Sequence, residues 1–165
     1  MLFRSVPDAL AEKTLLQAAL SVLPAEQRET DAYRAESLLY QLGFSSTQLA
    51  QPLRTLSGGQ QNLALLSRAL LLEPELLLMD EPGNHMDVLA LAQLQQFLLS
   101  TPDLSYLMIS HDRELLDCCC TNTVFLRDQR AYQFALPFEA AREALVTQDQ
   151  QAAHRAEQEE KEIDR

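Results

Sequence analysis

The chain has 165 residues, 47% of them apolar and 22% charged, which suffices for one domain with a real core and excludes two full ones. Thirteen basic against 24 acidic residues leave a net charge of −11, which sets the molecule as a whole against nucleic-acid phosphate and acidic membrane surfaces and confines any RNA contact to a local patch. No apolar run reaches the roughly 18 residues of a membrane-spanning helix, no apolar leader follows Met1, and the three cysteines are consecutive (Cys118, Cys119, Cys120), so the expectation is a cytosolic protein with thiols rather than disulfides or zinc.

Taken in chain order, apolar residues recur at three- and four-residue spacing from about 9 to 23 and from 28 to 42, including Leu16, Leu20, Leu38, Leu39 and Leu42. This predicts two amphipathic helices separated by Pro24, the second closed by Gly43. Residues 51 to 56 read as a loop. A third helix is predicted from Ser57, whose hydroxyl can cap the first exposed amides, to about Leu72, with Glu73-Pro74 ending it.

Leu76-Leu77-Leu78-Met79 is a short, wholly apolar run that stops at two acids, the pattern of a buried parallel strand whose C-terminal end opens onto a site. Residues 88 to 99 return to helical spacing, and 105 to 109 form a second apolar strand ending at Ser110-His111-Asp112. Strand, helix, strand in this order implies an α/β layer with a parallel sheet. Two weaker strands, near 123 to 126 and 131 to 134, read as a hairpin. From about Phe138 the chain is rich in Ala, Gln and Glu, with a thin stripe of Ala141, Leu145, Ala152, Ala156 and Ile163, and reads as one long solvated helix in need of a partner.

Two motifs carry chemistry. In Leu56-Ser57-Gly58-Gly59-Gln60 a capping serine and two residues without side chains leave backbone amides open to an anion at a helix start. An ordinary serine-capped helix is the plainer alternative, but the full pentapeptide is expected by chance only on the order of 10⁻⁴ times in such a chain. In the second motif, Leu76 to Pro82, Asp80 at a strand end can hold Mg²⁺ through water and Glu81 beside it can polarise an attacking water. A lone Asp-Glu would only solvate a strand end; at this distance from the first motif it carries more. Cys118 to Cys120 are expected to pack as thiols on a short helix.

The order of these motifs, continued by Asn84-His85-Met86-Asp87 and then Ser110-His111-Asp112, resembles the ATP-binding cassette superfamily of P-loop NTPase-like α/β proteins. Asp80 through Asp87 resembles the ABC-F branch, soluble proteins with two cassettes in one chain; transporter cassettes usually carry Ser-Ala where Asn84-His85 stand. Residues 111 to 117 fit the same branch, and the helix ending Glu160 to Arg165 is similar to the start of its interdomain linker. The resemblance implies ATP and Mg²⁺ as cofactors, with Ser57, Gly58, Gly59 and Gln60 on the γ-phosphate of ATP held by an opposite cassette. It also implies His111 as a switch histidine, and Asn84, His85 and Asp87 in a loop crossing the interface between cassettes, with a purely local turn as the alternative for His85. The implied partners are a second cassette, in cis or as a dimer, and for the intact protein the ribosome, with neither membrane nor DNA.

The pattern also breaks. A phosphate-binding loop needs Gly-x-x-x-x-Gly-Lys-Ser/Thr, yet the only lysines are Lys13 and Lys161, neither following a glycine, and the glycines stand at 43, 58, 59 and 83. The expectation is therefore a cassette fragment without its Walker A half. It comprises a helical subdomain with the signature helix (1–72), a catalytic α/β part with Walker B, interface loop and switch histidine (73–135), and a linker helix (136–165). Alone it would neither bind ATP tightly nor hydrolyse it. Gly83 replaces the threonine usual in the family, and Asn62 stands where a basic residue is common. A stand-alone module lending a signature face to another cassette, or a transporter ATPase subunit, are the competing readings.

Overall fold

The computed structural model describes residues 7–163, and for Ala156, Glu157 and 159–163 only their helical backbone; the side-chain stripe at Ala156 and Ile163 and the linker resemblance at Asp164 and Arg165 lie outside it. The chain divides into two compact units, Met1–His111 and Asp112–Arg165.

In the first unit the apolar spacing from 9 to 23 yields two helices, α1 (Asp8–Ala11) and α2 (Leu15–Leu20). The break falls at Thr14, which steps into extended backbone and caps α2. Its hydroxyl accepts the Gln17 N–H at 3.2 Å while the Gln17 side chain accepts the Thr14 N–H at 3.1 Å, so two amides that a helix start would leave orphaned are satisfied reciprocally. The second predicted helix begins later than residue 28: a 3₁₀ turn at Ala25–Gln27 precedes α3 (Ala32–Gln41). Gly43, at φ 86, turns the chain left-handed beyond the end of α3, where a side chain would be strained. A further turn, α4 (Ser46–Leu49), is capped by Ser45 and Gln48 in the manner of α2.

α5 (Gly58–Leu70) packs against α2 and α3. Leu15, Ala35, Leu39, Leu53 and Leu63 are wholly withdrawn from solvent in this unit. Ser67, a buried polar side chain, donates its hydroxyl to the Ala64 carbonyl at 2.7 Å and so carries no unmet hydrogen bond.

β1 (Leu77–Asp80) and β2 (Tyr106–Ile109) pair in parallel, Leu77 opposite Tyr106 and Asp80 opposite Ile109, with α6 (Val88–Ser100) as the crossover. The parallel sheet expected from the strand, helix, strand order is present. The apolar runs are not buried on both faces, however. Leu77 and Met79 are covered, whereas Leu78 (52% exposed), its cross-strand partner Leu107 (54%) and Ile109 (60%) face outward. A two-stranded layer with its crossover on one side covers one face, and the alternation follows from the two-residue period of the strand.

The second unit is α7 (Arg113–Cys119), a hairpin of β3 (Thr123–Arg127) and β4 (Arg130–Phe134), and α8 (Phe138–Ile163). The hairpin turns on Asp128 (φ 53) and Gln129 (φ 61), the two left-handed positions of a two-residue connection that matches strand twist. Phe125 stacks edge-on to Phe134 at 6.1 Å and lies 5.8 Å from Phe138, which seats the start of α8 on the hairpin. Farther along, Arg127 grips Asp149 with two hydrogen bonds of 2.7 and 2.8 Å. The cysteines form no disulfide. Cys118 is exposed rather than packed, while burial pushes the Cys119 thiol up to about 11. Among the described residues no helix is long and apolar enough to cross a membrane.

Candidate functional site

The C-terminal ends of β1 and β2 bring the strand-end acids to the histidine. Asp80 closes β1 and is exposed. Glu81 follows with its N–H donated to the Ile109 carbonyl at 2.7 Å and its backbone left-handed at φ 48. A non-glycine residue at that φ is sparsely populated and persists only where neighbours over-determine it. Here the turn aims the carboxylate back across the sheet end. One Glu81 oxygen accepts the His111 backbone N–H at 3.2 Å and the other lies 3.4 Å from His111 Nε2. The Glu81 side chain is 21% exposed and the His111 ring 98% exposed, so the acid is held and the imidazole is presented to solvent.

Ser57, Gly58, Gly59 and Gln60 lie at the start of α5. Ser57 and Gln60 close a reciprocal cap: the Ser57 hydroxyl accepts the Gln60 N–H at 3.2 Å, and the Gln60 side chain accepts the Ser57 N–H at 3.1 Å. The first bond spanning a full helical turn is that of Gln61 N–H to the Ser57 carbonyl, at 2.8 Å. Gly58 and Gly59 thus precede it, in the turn whose amides have no intrahelical acceptor. The two glycines differ. Gly58 is at the surface, and a Cβ there would meet the His85 carbonyl at an ordinary 3.7 Å. Gly59 is buried, and a Cβ would stand 2.6 Å from Ala90 Cβ and 3.2 Å from Asp87 N and Met86 Cα, so its lack of a side chain lets α5 and α6 meet.

The loop after Glu81 folds onto this helix start. Asn84 N–H donates to the Glu81 carbonyl and Met86 N–H to the Gly83 carbonyl, both at 3.1 Å, and His85 sits exposed between them at φ 62. Asn62 on α5 donates its amide to the Asn84 carbonyl at 3.3 Å. Asp87 caps α6 by accepting the Ala90 N–H at 2.8 Å, and its other oxygen accepts the Ser57 hydroxyl at 2.9 Å. These donors, the Ala90 amide first and then Ser57, hold the Asp87 carboxyl below its usual range. Ser57, Gly59, Asn62, Asn84, Met86, Asp87 and Ala90 are therefore one connected junction. Sequence reasoning omitted Asn62 and Ala90 from the site and took Asp87 only as part of a loop; the Asp87-Val88 step into a helical run was the signal for a cap.

The chemistry these groups can support is partial. Asp80, a single exposed carboxylate at a strand end, suits an ion held through water, and among the described residues no cluster of three His, Cys, Asp or Glu side chains could cage a metal directly. For a nucleotide the fit is poorer: the 165 residues contain no glycine-rich loop followed by lysine, so a triphosphate would have to be cradled by other residues.

The architecture is that of an ATP-binding cassette. A nucleotide-free ATP-binding cassette from an ABC transporter superposes with a TM-score of 0.64 at 18% identity, over 86% of this chain and 62% of that one. Residues 3–84 match the family described as ABC transporter. Protein GCN20 of Saccharomyces cerevisiae is 38% identical over 116 residues, 70% of this chain and 15% of that protein. ATP-binding cassette sub-family F member 3 of Homo sapiens is 35% identical over 136 residues, 82% of this chain and 19% of that protein. The chain belongs to the ATP-binding cassette family and matches a fragment of a cassette of its F branch. It spans less than a fifth of the length of these two relatives.

Proposed function

We propose that these residues form the signature helix and catalytic sheet edge of an ABC-F ATPase, a cytoplasmic protein whose intact form closes two cassettes around ATP to do work on the ribosome. The observation that supports this most is the Glu81 carboxylate, set in a left-handed backbone, accepting the His111 N–H and lying 3.4 Å from His111 Nε2, next to Asp80. Asp80 would hold Mg²⁺ through water, and the ion would supply positive charge against the phosphates. Glu81 polarises the attacking water, His111 orients the attack from the solvent side, and Ser57, Gly58, Gly59 and Gln60 present amides and hydroxyl to the γ-phosphate of ATP held by a second cassette. Asn84, His85 and Asp87 form the loop that meets that cassette. In this reading 1–72 is the helical subdomain, 73–135 the catalytic part and 136–165 the linker helix.

Two measurements test it. Calorimetric titration of the purified chain with Mg-ATP is expected to give no tight binding; a saturable micromolar isotherm contradicts the assignment of phosphate binding to other residues. In the intact protein, Glu81→Gln is expected to bind ATP and lower turnover by about 10²-fold or more, and hydrolysis at the parental rate removes Glu81 from the base role. A second reading, a stand-alone module that lends its signature face to another cassette, is favoured by the junction around Ser57 being completed within the first unit. Binding of the isolated chain to an ATP-loaded cassette, without turnover, would select it. Co-purification with membrane subunits would instead select a transporter ATPase, against which Asn84-His85 argue.

A further inference from the structure

The Ser57 hydroxyl sits at a crossing of commitments. It accepts the Gln60 N–H and donates its proton to Asp87 Oδ2 at 2.9 Å. A serine hydroxyl has one proton to give, and a phosphate oxygen can only accept. Asp87 spends its other oxygen on the Ala90 amide that opens α6, at 2.8 Å, so the same carboxylate ties the starts of α5 and α6 together. The two 13-residue helices approach closely enough here that a Cβ at Gly59 would collide with Ala90. A movement of Asp87 therefore cannot stay local to one helix.

We propose that Asp87 is a positioning residue that holds the Ser57 proton until a phosphate claims it, so that phosphate engagement at the signature and release of Asp87 in the interface loop are one event. The idea rests on the reading that Ser57 meets phosphate. It adds that the carboxylate and the phosphate compete for one hydrogen bond, and that the Ala90 amide, bonded to the far side of the carboxylate, registers the outcome. Its donors keep Asp87 ionised, so the Ser57 proton is held in a charge-assisted hydrogen bond until an anion arrives.

The test titrates the ¹⁵N-labelled 165-residue chain with inorganic tripolyphosphate and follows the amide resonances of Gly58, Gly59 and Ala90. In the unmodified chain all three are expected to move along one saturation curve. Asp87→Asn keeps a good helix cap but gives up the charged acceptor, and should bind about tenfold more tightly. Ser57→Ala should still respond at Gly58 and Gly59 while Ala90 stays still. In Ser57→Ala with Asp87→Asn the tenfold gain should disappear. The coupling is overturned if Ala90 is silent in the unmodified chain while Gly58 and Gly59 move, if Asp87→Asn gains nothing, or if its gain survives without Ser57, which would make it a field effect. If Gly58 and Gly59 do not respond in any of the four proteins, the signature-face reading fails, and the coupling with it.

Discussion

The two units hold their important residues by different means. Around Ser57 and Glu81 the positions are set by backbone: left-handed residues at 81 and 85, a glycine at 59 that admits a neighbouring helix, and caps that satisfy helix-start amides. In the second unit α8 is held to the hairpin by side chains, through the Phe125, Phe134 and Phe138 cluster and the fork of Arg127 on Asp149. A close-packed glycine such as Gly59 tolerates almost no larger side chain but is indifferent to salt. A surface charge fork is the reverse, since solvent and ions screen it and single replacements cost little.

The largest effect should come from the core beneath the backbone-held site. Leu39→Ala or Leu63→Ala removes a side chain with no solvent exposure and is expected to cost about 2–5 kcal/mol in urea unfolding of the chain. Gly59→Ala should come next, at about 1–3 kcal/mol from overpacking against Ala90 and Met86, with perturbed resonances strongest at the starts of α5 and α6 and continuing along both helices. If Gly59→Ala were neutral, the close approach of the two helices would be wrong.

Acidification separates the two kinds of support less than salt does. Asp87 and Asp149 both have depressed carboxyl values, the first from the Ala90 amide and Ser57, the second from Arg127. Each therefore contributes stability that is present above the unfolded value near 3.8 and lost as pH falls through the lower folded value. Asp87→Asn and Asp149→Asn should each flatten that acid limb, whereas added salt at neutral pH should speed amide exchange along α8 through the Arg127 fork and leave the α5 start unchanged. The smallest effect is a gain: Gln129→Gly relieves a left-handed non-glycine residue in the hairpin turn and should stabilise the second unit by about 0.5–1 kcal/mol.

The strand, helix, strand order, the hairpin and the long last helix could be read from residues alone because periodicity and turn residues agree there. The break at Thr14 could not be read from apolar spacing, which runs through it unchanged; the Thr-x-x-Gln box that causes it was visible but competes with a continuous pattern. The same box at Ser57 and Gln60 shows why the site was half legible. The family resemblance implies phosphate contact for both residues as an expectation, and the fold commits the Gln60 side chain to the Ser57 amide. The left-handed turn at Glu81 leaves no trace in composition, because glutamate is an unusual occupant there and hydrogen bonds to Ile109, Asn84 and His111 hold it. The outward face of Leu78 and Leu107 was likewise hidden, since an apolar residue in a strand reads as covered whichever way it points.

The contact at Gly59 makes the beginnings of α5 and α6 a pivot. Thirteen residues of helix reach about 20 Å, so a shift of an ångström where the shafts meet is carried to Leu70 on one and Ser100 on the other, well outside hydrogen-bonding range of the place where it began. A methyl group added at this fulcrum would spread the shafts, and its absence keeps them closed like the short ends of a pair of tongs.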